Sequence, residues 1–149
     1  MKHVREKMED ILLLFFLAGM AMVMIFQVIS RYVMKDTPAF TEELVRYFFI
    51  WSTFLSIPFS IKYKLDVRIR IFPISKKLDR WVNAFLMLVF LGLFIATIPN
   101  LRYALWSRET SPALGLPMFY VHLAPAVGFA LACLRSWELS LIHIDAADE

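Results

Sequence analysis

The chain has 149 residues, enough for one ordinary soluble domain, but 60% of them are hydrophobic, 19% are charged and the mean hydropathy is +0.63. A soluble domain runs nearer half apolar and a quarter charged, so the composition indicates an integral membrane protein. The 16 Lys and Arg against 13 Asp and Glu leave +3 with no basic tract for nucleic acid; a single cysteine, Cys133, excludes an internal disulfide, and three histidines argue against haem held by paired imidazoles.

Four stretches lack Asp, Glu, Lys and Arg: Ile11–Ser30, Tyr47–Ile61, Trp81–Leu101 and Thr110–Leu134. Crossing a bilayer core takes about 20 helical residues, so the expectation is an all-α membrane protein, a single four-helix domain with helices at about 9–34, 41–62, 76–105 and 117–141. The first run is too long for the apolar part of a signal peptide, follows Glu6, Glu9 and Asp10, and lacks an Ala-x-Ala-like cleavage site.

Between the first two runs, Asp36-Thr37-Pro38 reads as a turn. The second run is only 15 residues long, and it is completed if its helix begins near Thr41. Glu42 and Glu43 then lie in the first turn, against the positive end of the helix dipole, with Glu42 and Arg46 four apart on one face. Adjacent carboxylates on a helix do not converge, so the pair is read as structural rather than catalytic. Within this helix Ser52, Ser56 and Ser60 recur every fourth residue, and Pro58 frees the Phe54 carbonyl one turn back.

In the second connection Leu65, Val67, Ile69 and Ile71 alternate with Lys64, Asp66, Arg68 and Arg70. A lone strand at a membrane surface would leave its backbone unsatisfied, so an interfacial segment is expected, its basic residues against phospholipid headgroups. Ser75 reads as the N-cap of the third helix. In the third connection, Ser111-Pro112-Ala113-Leu114-Gly115-Leu116-Pro117 carries turn residues, so the last helix should start near Pro117. Along that helix Ala124, Gly128, Ala132, Ser136 and Ser140 recur every fourth residue. Both small-residue rows allow close backbone approach, either within this domain or against another membrane protein.

Orientation follows from basic residues in the connections. The N-terminus, second connection and tail hold three, seven and one, against three and two in the other connections. Eleven against five places both termini in the cytoplasm. The dominant seven, Lys62, Lys64, Arg68, Arg70, Lys76, Lys77 and Arg80, are expected to anchor the chain at the membrane surface together with Trp81 and Trp137. Tyr32, Tyr103 and Trp106 fall at the opposite helix ends.

The four runs contain a single histidine, His122, without a partner His, Cys or carboxylate at ligand spacing. No phosphate loop, metal spacing or nucleophile constellation is present, so no catalytic, cofactor or metal residues are assigned. Transporters of ions and polar solutes place charged groups at membrane depth, and this chain has none there.

The run Gln27-Val28-Ile29-Ser30-Arg31-Tyr32, then Phe40-Thr41-Glu42-Glu43-Leu44-Val45-Arg46-Tyr47 leading to Trp51 and Phe54-Leu55, resembles the small membrane subunit of tripartite ATP-independent periplasmic (TRAP) transporters. The Ser-Pro-x-Leu-x-x-Pro pattern at Ser111–Pro117 is similar too, and the four-span layout extends the likeness over the whole chain. Departures are Phe40 where Trp is common, Ser56 where Gly is common, and Asp66 in place of a His after the second helix. The resemblance implies a non-catalytic scaffold in the bacterial inner membrane. Its partners would be a large membrane subunit bearing the substrate and sodium sites, and a periplasmic substrate-binding protein delivering an organic acid. On that footing Arg31, Glu42, Glu43 and Arg46, with Ser52, Ser56, Ser60, Ala124, Gly128 and Ala132, are the candidate partner interface. The competing readings are a self-contained four-helix exporter, whose nearest membrane carboxylates are Glu9 and Asp10, and a membrane enzyme or redox protein, which one Cys and one embedded His disfavour.

Overall fold

The computed structural model describes residues 2–35, 38–63 and 76–145, with side chains for 7–33, 35, 38–63 and 81–138. It is all-helical: α1 spans Lys2–Ile29 and continues through a π-helical turn at Ser30–Met34, α2 spans Ala39–Lys62, α3 Lys76–Ser107 and α4 Phe119–Asp145. Within them Lys7–Val33, Ala39–Lys62, Trp81–Ser107 and Phe119–Glu138 are long and apolar enough to cross a bilayer.

Helix ends follow local chemistry. α1 begins ahead of the apolar run because Lys2 to Asp10 is rich in good helix formers such as Glu, Lys, Arg and Met. α2 starts at Ala39, not Thr41. Pro38 caps it in an extended conformation, and its carbonyl accepts both the N–H (3.0 Å) and the hydroxyl (2.7 Å) of Thr41. α4 starts just past Pro117, with the Met118 carbonyl accepting from His122 N–H at 3.1 Å. Hydroxyls inside the helices bond back to their own backbone: Ser52 and Thr53 to the Phe49 carbonyl, Ser56 to Thr53 and Thr97 to Phe94.

The helices do not close into a bundle. Among the described residues, backbone proximity links α1 to α2, α2 to α4 and α4 to α3 and no other helix pair, so the domain is a row one helix thick, in the order α1, α2, α4, α3. Lys35, Pro38 and the loop 108–118 share one end of the row, the loop end; Glu9, Lys62 and Arg135 mark the other, the terminal end. A row has two broad faces and no enclosed core, and large apolar side chains such as Phe15, Leu88 and Trp106 are exposed. The buried set is correspondingly small in size: Ala104, Ala124, Ala126, Ala132, Thr41, Ser30 and Pro58 sit among few larger residues. In lipid there is no hydrophobic drive between helices, and close backbone approach across small residues holds them instead.

The α2–α4 seam shows this directly. Pro58 has no N–H to give the Phe54 carbonyl, and that oxygen faces Gly128, where an added Cβ would lie 2.7 Å from it. Phe54 and Phe129 pack edge to face beside it. Ala124, Gly128, Ala132 and Ser52, expected at a partner interface, are buried within this chain. Ser56 remains exposed and Ser60 half-buried. Between α1 and α2, Phe16 stacks on Trp51 with ring centroids 5.4 Å apart, and Phe15 and Phe48 complete an aromatic cluster.

Candidate functional site

At the loop end the chain folds back on itself between α3 and α4. Thr110 and Pro117 form an isolated antiparallel bridge, Ser111 N–H donates to the Leu116 carbonyl at 2.8 Å, and Gly115 N–H to the Ser111 carbonyl at 3.0 Å. Gly115 has φ +64, a conformation that side chains resist, which explains glycine here. The tight loop turns the N–H groups of Ala113 and Leu114 toward α2, where they make a small anion-binding concavity.

Glu43 fills that concavity. Its carboxylate accepts from Leu114 N–H at 3.0 Å, from Ala113 N–H at 3.3 Å and from the Ser111 hydroxyl, which itself accepts from Leu114 N–H at 3.2 Å. Glu43 is buried, and Arg46 one turn along acts on it electrostatically. No ion pair joins Glu42 to Arg46; both are exposed, as is Arg31 on the π-helical turn. The structure therefore divides the expected cluster of Arg31, Glu42, Glu43 and Arg46. Glu43 is a structural latch from α2 to the α3–α4 loop, and the other three face outward. Which of two adjacent glutamates turns inward depends on a loop about 70 residues away in sequence.

Glu43→Gln is expected to leave insertion intact while lowering the melting midpoint in detergent, because an amide replaces an acceptor facing three donors. Glu42→Gln, on the exposed side, should melt as wild type. Equal melting of the two variants would remove the latch.

Sequence reasoning missed a second charged site at the terminal end. Arg135, on α4, reaches across α2 to Glu9 of α1, its Nη2 2.7 Å and its Nε 3.2 Å from Glu9 Oε2, while its Nη1 lies 2.8 Å from Glu138 Oε2. Beside it Lys62 Nζ donates to both Asp10 oxygens, at 2.9 and 2.8 Å, and the Tyr63 hydroxyl donates to Asp10 at 2.7 Å. Lys62 also lies 4.7 Å above the Tyr63 ring. The available signal was opposite charge at the same end of the first and last spans: Glu9-Asp10 before the first apolar run, Arg135 directly after the last.

Of the expected surface anchors, Lys62 is held by Asp10, and Trp81 and Trp137 are exposed near the terminal end. Lys64, Arg68, Arg70 and Ser75 lie outside the described residues, as do the side chains of Lys76, Lys77 and Arg80. An apolar groove between α1, α2 and the start of α4 is lined by Phe16, Tyr47, Trp51, Pro117 and Tyr120, with no cation to receive a carboxylate substrate. His122 is half-buried, and no metal-binding group of His, Cys, Asp and Glu occurs among the described residues. Of the buried polar groups, Glu43, Ser111 and Arg135 fasten separate elements to one another, while Thr41, Ser52 and Thr97 bond to backbone carbonyls close by in the chain.

Residues 20–143 match the family described as tripartite ATP-independent periplasmic transporters, DctQ component. The chain is 28% identical over 136 residues to the isethionate TRAP transporter permease protein DctMQ of Oleidesulfovibrio alaskensis, a match covering 81% of this chain and 21% of that one. It is 25% identical over 130 residues to a TRAP transporter small permease protein of Haemophilus influenzae, covering 84% and 80% respectively. The chain thus spans about a fifth of the length of the first relative and most of the second.

Proposed function

The chain belongs to the DctQ component family of TRAP transporters, and we propose that it is the scaffold subunit of a sodium-coupled importer of an organic acid. It is a multi-pass protein of the bacterial inner membrane. In this reading it lies beside a large membrane subunit that carries the substrate and sodium sites, and a periplasmic substrate-binding protein docks at its loop end. The observation that carries the reading is the open row. A single layer of helices has no interior through which a hydrated anion could pass, while its two apolar faces suit lateral contact with a larger membrane protein and with phospholipid. The isethionate in the name of one relative is an organic anion, in keeping with an organic-acid cargo.

The exporter alternative needs a membrane carboxylate free to bind and release. Glu9 is held by Arg135 and Asp10 by Lys62 and Tyr63, so neither meets that requirement. Both termini are taken as cytoplasmic on the strength of the basic-residue imbalance, with residues 62–75 as the interfacial segment.

Two outcomes are expected. Reporters fused after Glu149 or near Lys76 read as cytoplasmic and one near Ser111 as periplasmic; a periplasmic reading at Lys76 overturns the orientation. In proteoliposomes, the chain alone gives no flux, while the large subunit, the substrate-binding protein and a sodium gradient together give uptake. Substrate-dependent flux through the purified small chain alone would refute the scaffold reading.

A further inference from the structure

α1 and α4 meet at one end only. The side chains of Arg135 and Glu9 join them at the terminal end, but among the described residues no backbone proximity links the two helices, so toward the loop end a gap opens between them over α2. The apolar groove occupies that gap. Phe16 and Trp51, stacked with ring centroids 5.4 Å apart, close its deep end, and Leu44, Tyr47, Tyr120 and Val121 line it toward the loop end. None of its lining residues is charged.

Its dimensions select the occupant. Trp51 stands twelve residues into α2, about 18 Å along the axis, close to the roughly 15 Å spanned by the chains of one leaflet. The groove holds about 480 Å³ of empty space along at least the stretch from Leu44 to Trp51, about 10 Å of rise, so its cross-section is at most about 50 Å². A helix 10 Å across needs about 80 Å². The groove is thus too narrow for a helix of another protein and wide enough for a lipid chain, and left empty its walls would lack packing partners. Charge stands at its mouth. Arg31 and Lys35, both exposed, end α1 beside the exposed Tyr32, which marks the headgroup level. At about 100° per residue, Arg31 falls within about 60° of Phe16 around α1 and lies further toward the loop end. Basic residues above an apolar cleft between helices suit an anionic headgroup.

We propose that the groove is a binding site for an anionic phospholipid of the leaflet at the loop end, one acyl chain lying against Phe16 and Trp51 and the headgroup held by Arg31 and Lys35. The chain takes the place of the protein contact that α1 and α4 lack there. This inference rests on the membrane embedding and not on the cargo of the transporter.

The test uses the full chain with Trp81, Trp106 and Trp137 replaced by Phe, which leaves Trp51 as its only tryptophan. In bilayers containing lipids with brominated acyl chains, which quench at short range, Trp51 should be half-quenched at about tenfold lower mole fraction of phosphatidylglycerol than of phosphatidylcholine. Arg31→Gln with Lys35→Gln should abolish that preference without changing the melting midpoint, because both positions are exposed. Val121→Phe, which fills the groove from α4, should weaken quenching by both lipids. Quenching that tracks the bulk brominated fraction, alike for both headgroups and unchanged by Val121→Phe, overturns the site; equal half-points for the two headgroups overturn the anionic assignment. A photoreactive benzophenone side chain at Tyr120, introduced in cells that also make the transporter's other subunits, should cross-link to phospholipid. Cross-linking to a protein chain instead would show that protein fills the groove and overturn the lipid site.

Discussion

Gly128→Leu is expected to part α2 from α4 and leave a chain that fails to fold or to co-purify with any partner. At Gly128 a Cβ alone would meet the Phe54 carbonyl oxygen at 2.7 Å, Phe54 Cβ at 2.8 Å and the Phe54 carbonyl carbon at 3.0 Å. Two of these three atoms are backbone, which cannot swing aside as a side-chain tip does, so the helices must separate. Overpacking a well-packed contact costs typically 1–3 kcal/mol, and α4, one of the two inner helices of the row, meets α2 only along this seam. Even Gly128→Ala should lower the melting midpoint. The control is Gly92 on α3, where a Cβ meets nothing within 4 Å. Gly92→Ala is expected to melt at or above the wild-type temperature, since alanine favours a helix interior by about 1 kcal/mol. Thermal unfolding in detergent checks both. A Gly128→Leu chain that melts like wild type would mean the α2–α4 seam is not formed as described.

This contact also shows where sequence reading reaches and where it stops. Pro58 and the carbonyl it frees are legible from one position, as are the small residues recurring along α4. That Gly128 covers that particular carbonyl depends on how two distant helices pack, which hydropathy does not encode. The same limit applies to helix order. Four apolar runs look alike whether they close into a bundle or line up in a row, because in lipid both faces of a helix are apolar either way. At the loop end, glycine and proline within 111–117 announce a turn, but its role as an anion concavity appears only when Glu43 is brought beside it. The basic residues at Arg31 and Arg46 were legible as charges; that they are exposed while Glu43 is sealed was not.

The terminal end yields the second large expected effect. Arg135 is 6% exposed and is the hub between Glu9 on α1 and Glu138 on its own helix. α1 otherwise meets the rest of the row through α2, so Arg135 is a direct tie from α1 to α4. Arg135→Ala removes the cation that engages both Glu9 and Glu138 near the membrane surface. Deleting one partner of a buried pair typically costs about 3–5 kcal/mol, most of it from the charge left behind. Partial exposure of Glu138, at 23%, and escape of these groups toward water should keep the loss near the lower bound, about 3 kcal/mol. Arg135→Lys should recover only part of it, because a single ammonium cannot reproduce the two guanidinium edges that engage Glu9 and Glu138 separately. Glu9→Gln in the Arg135→Ala background should be less damaging than the sum of the two single changes, since it removes one orphaned charge. Lys62→Gln, at the more open Asp10 pair, should cost clearly less. Melting of these five chains in detergent, with cross-linking between α1 and α4 as a second readout, separates a tie from a surface ion pair. If Arg135→Ala and Lys62→Gln destabilise equally and cross-linking is unchanged, α1 is held in the row by its aromatic contacts with α2, and the guanidinium is incidental to the fold.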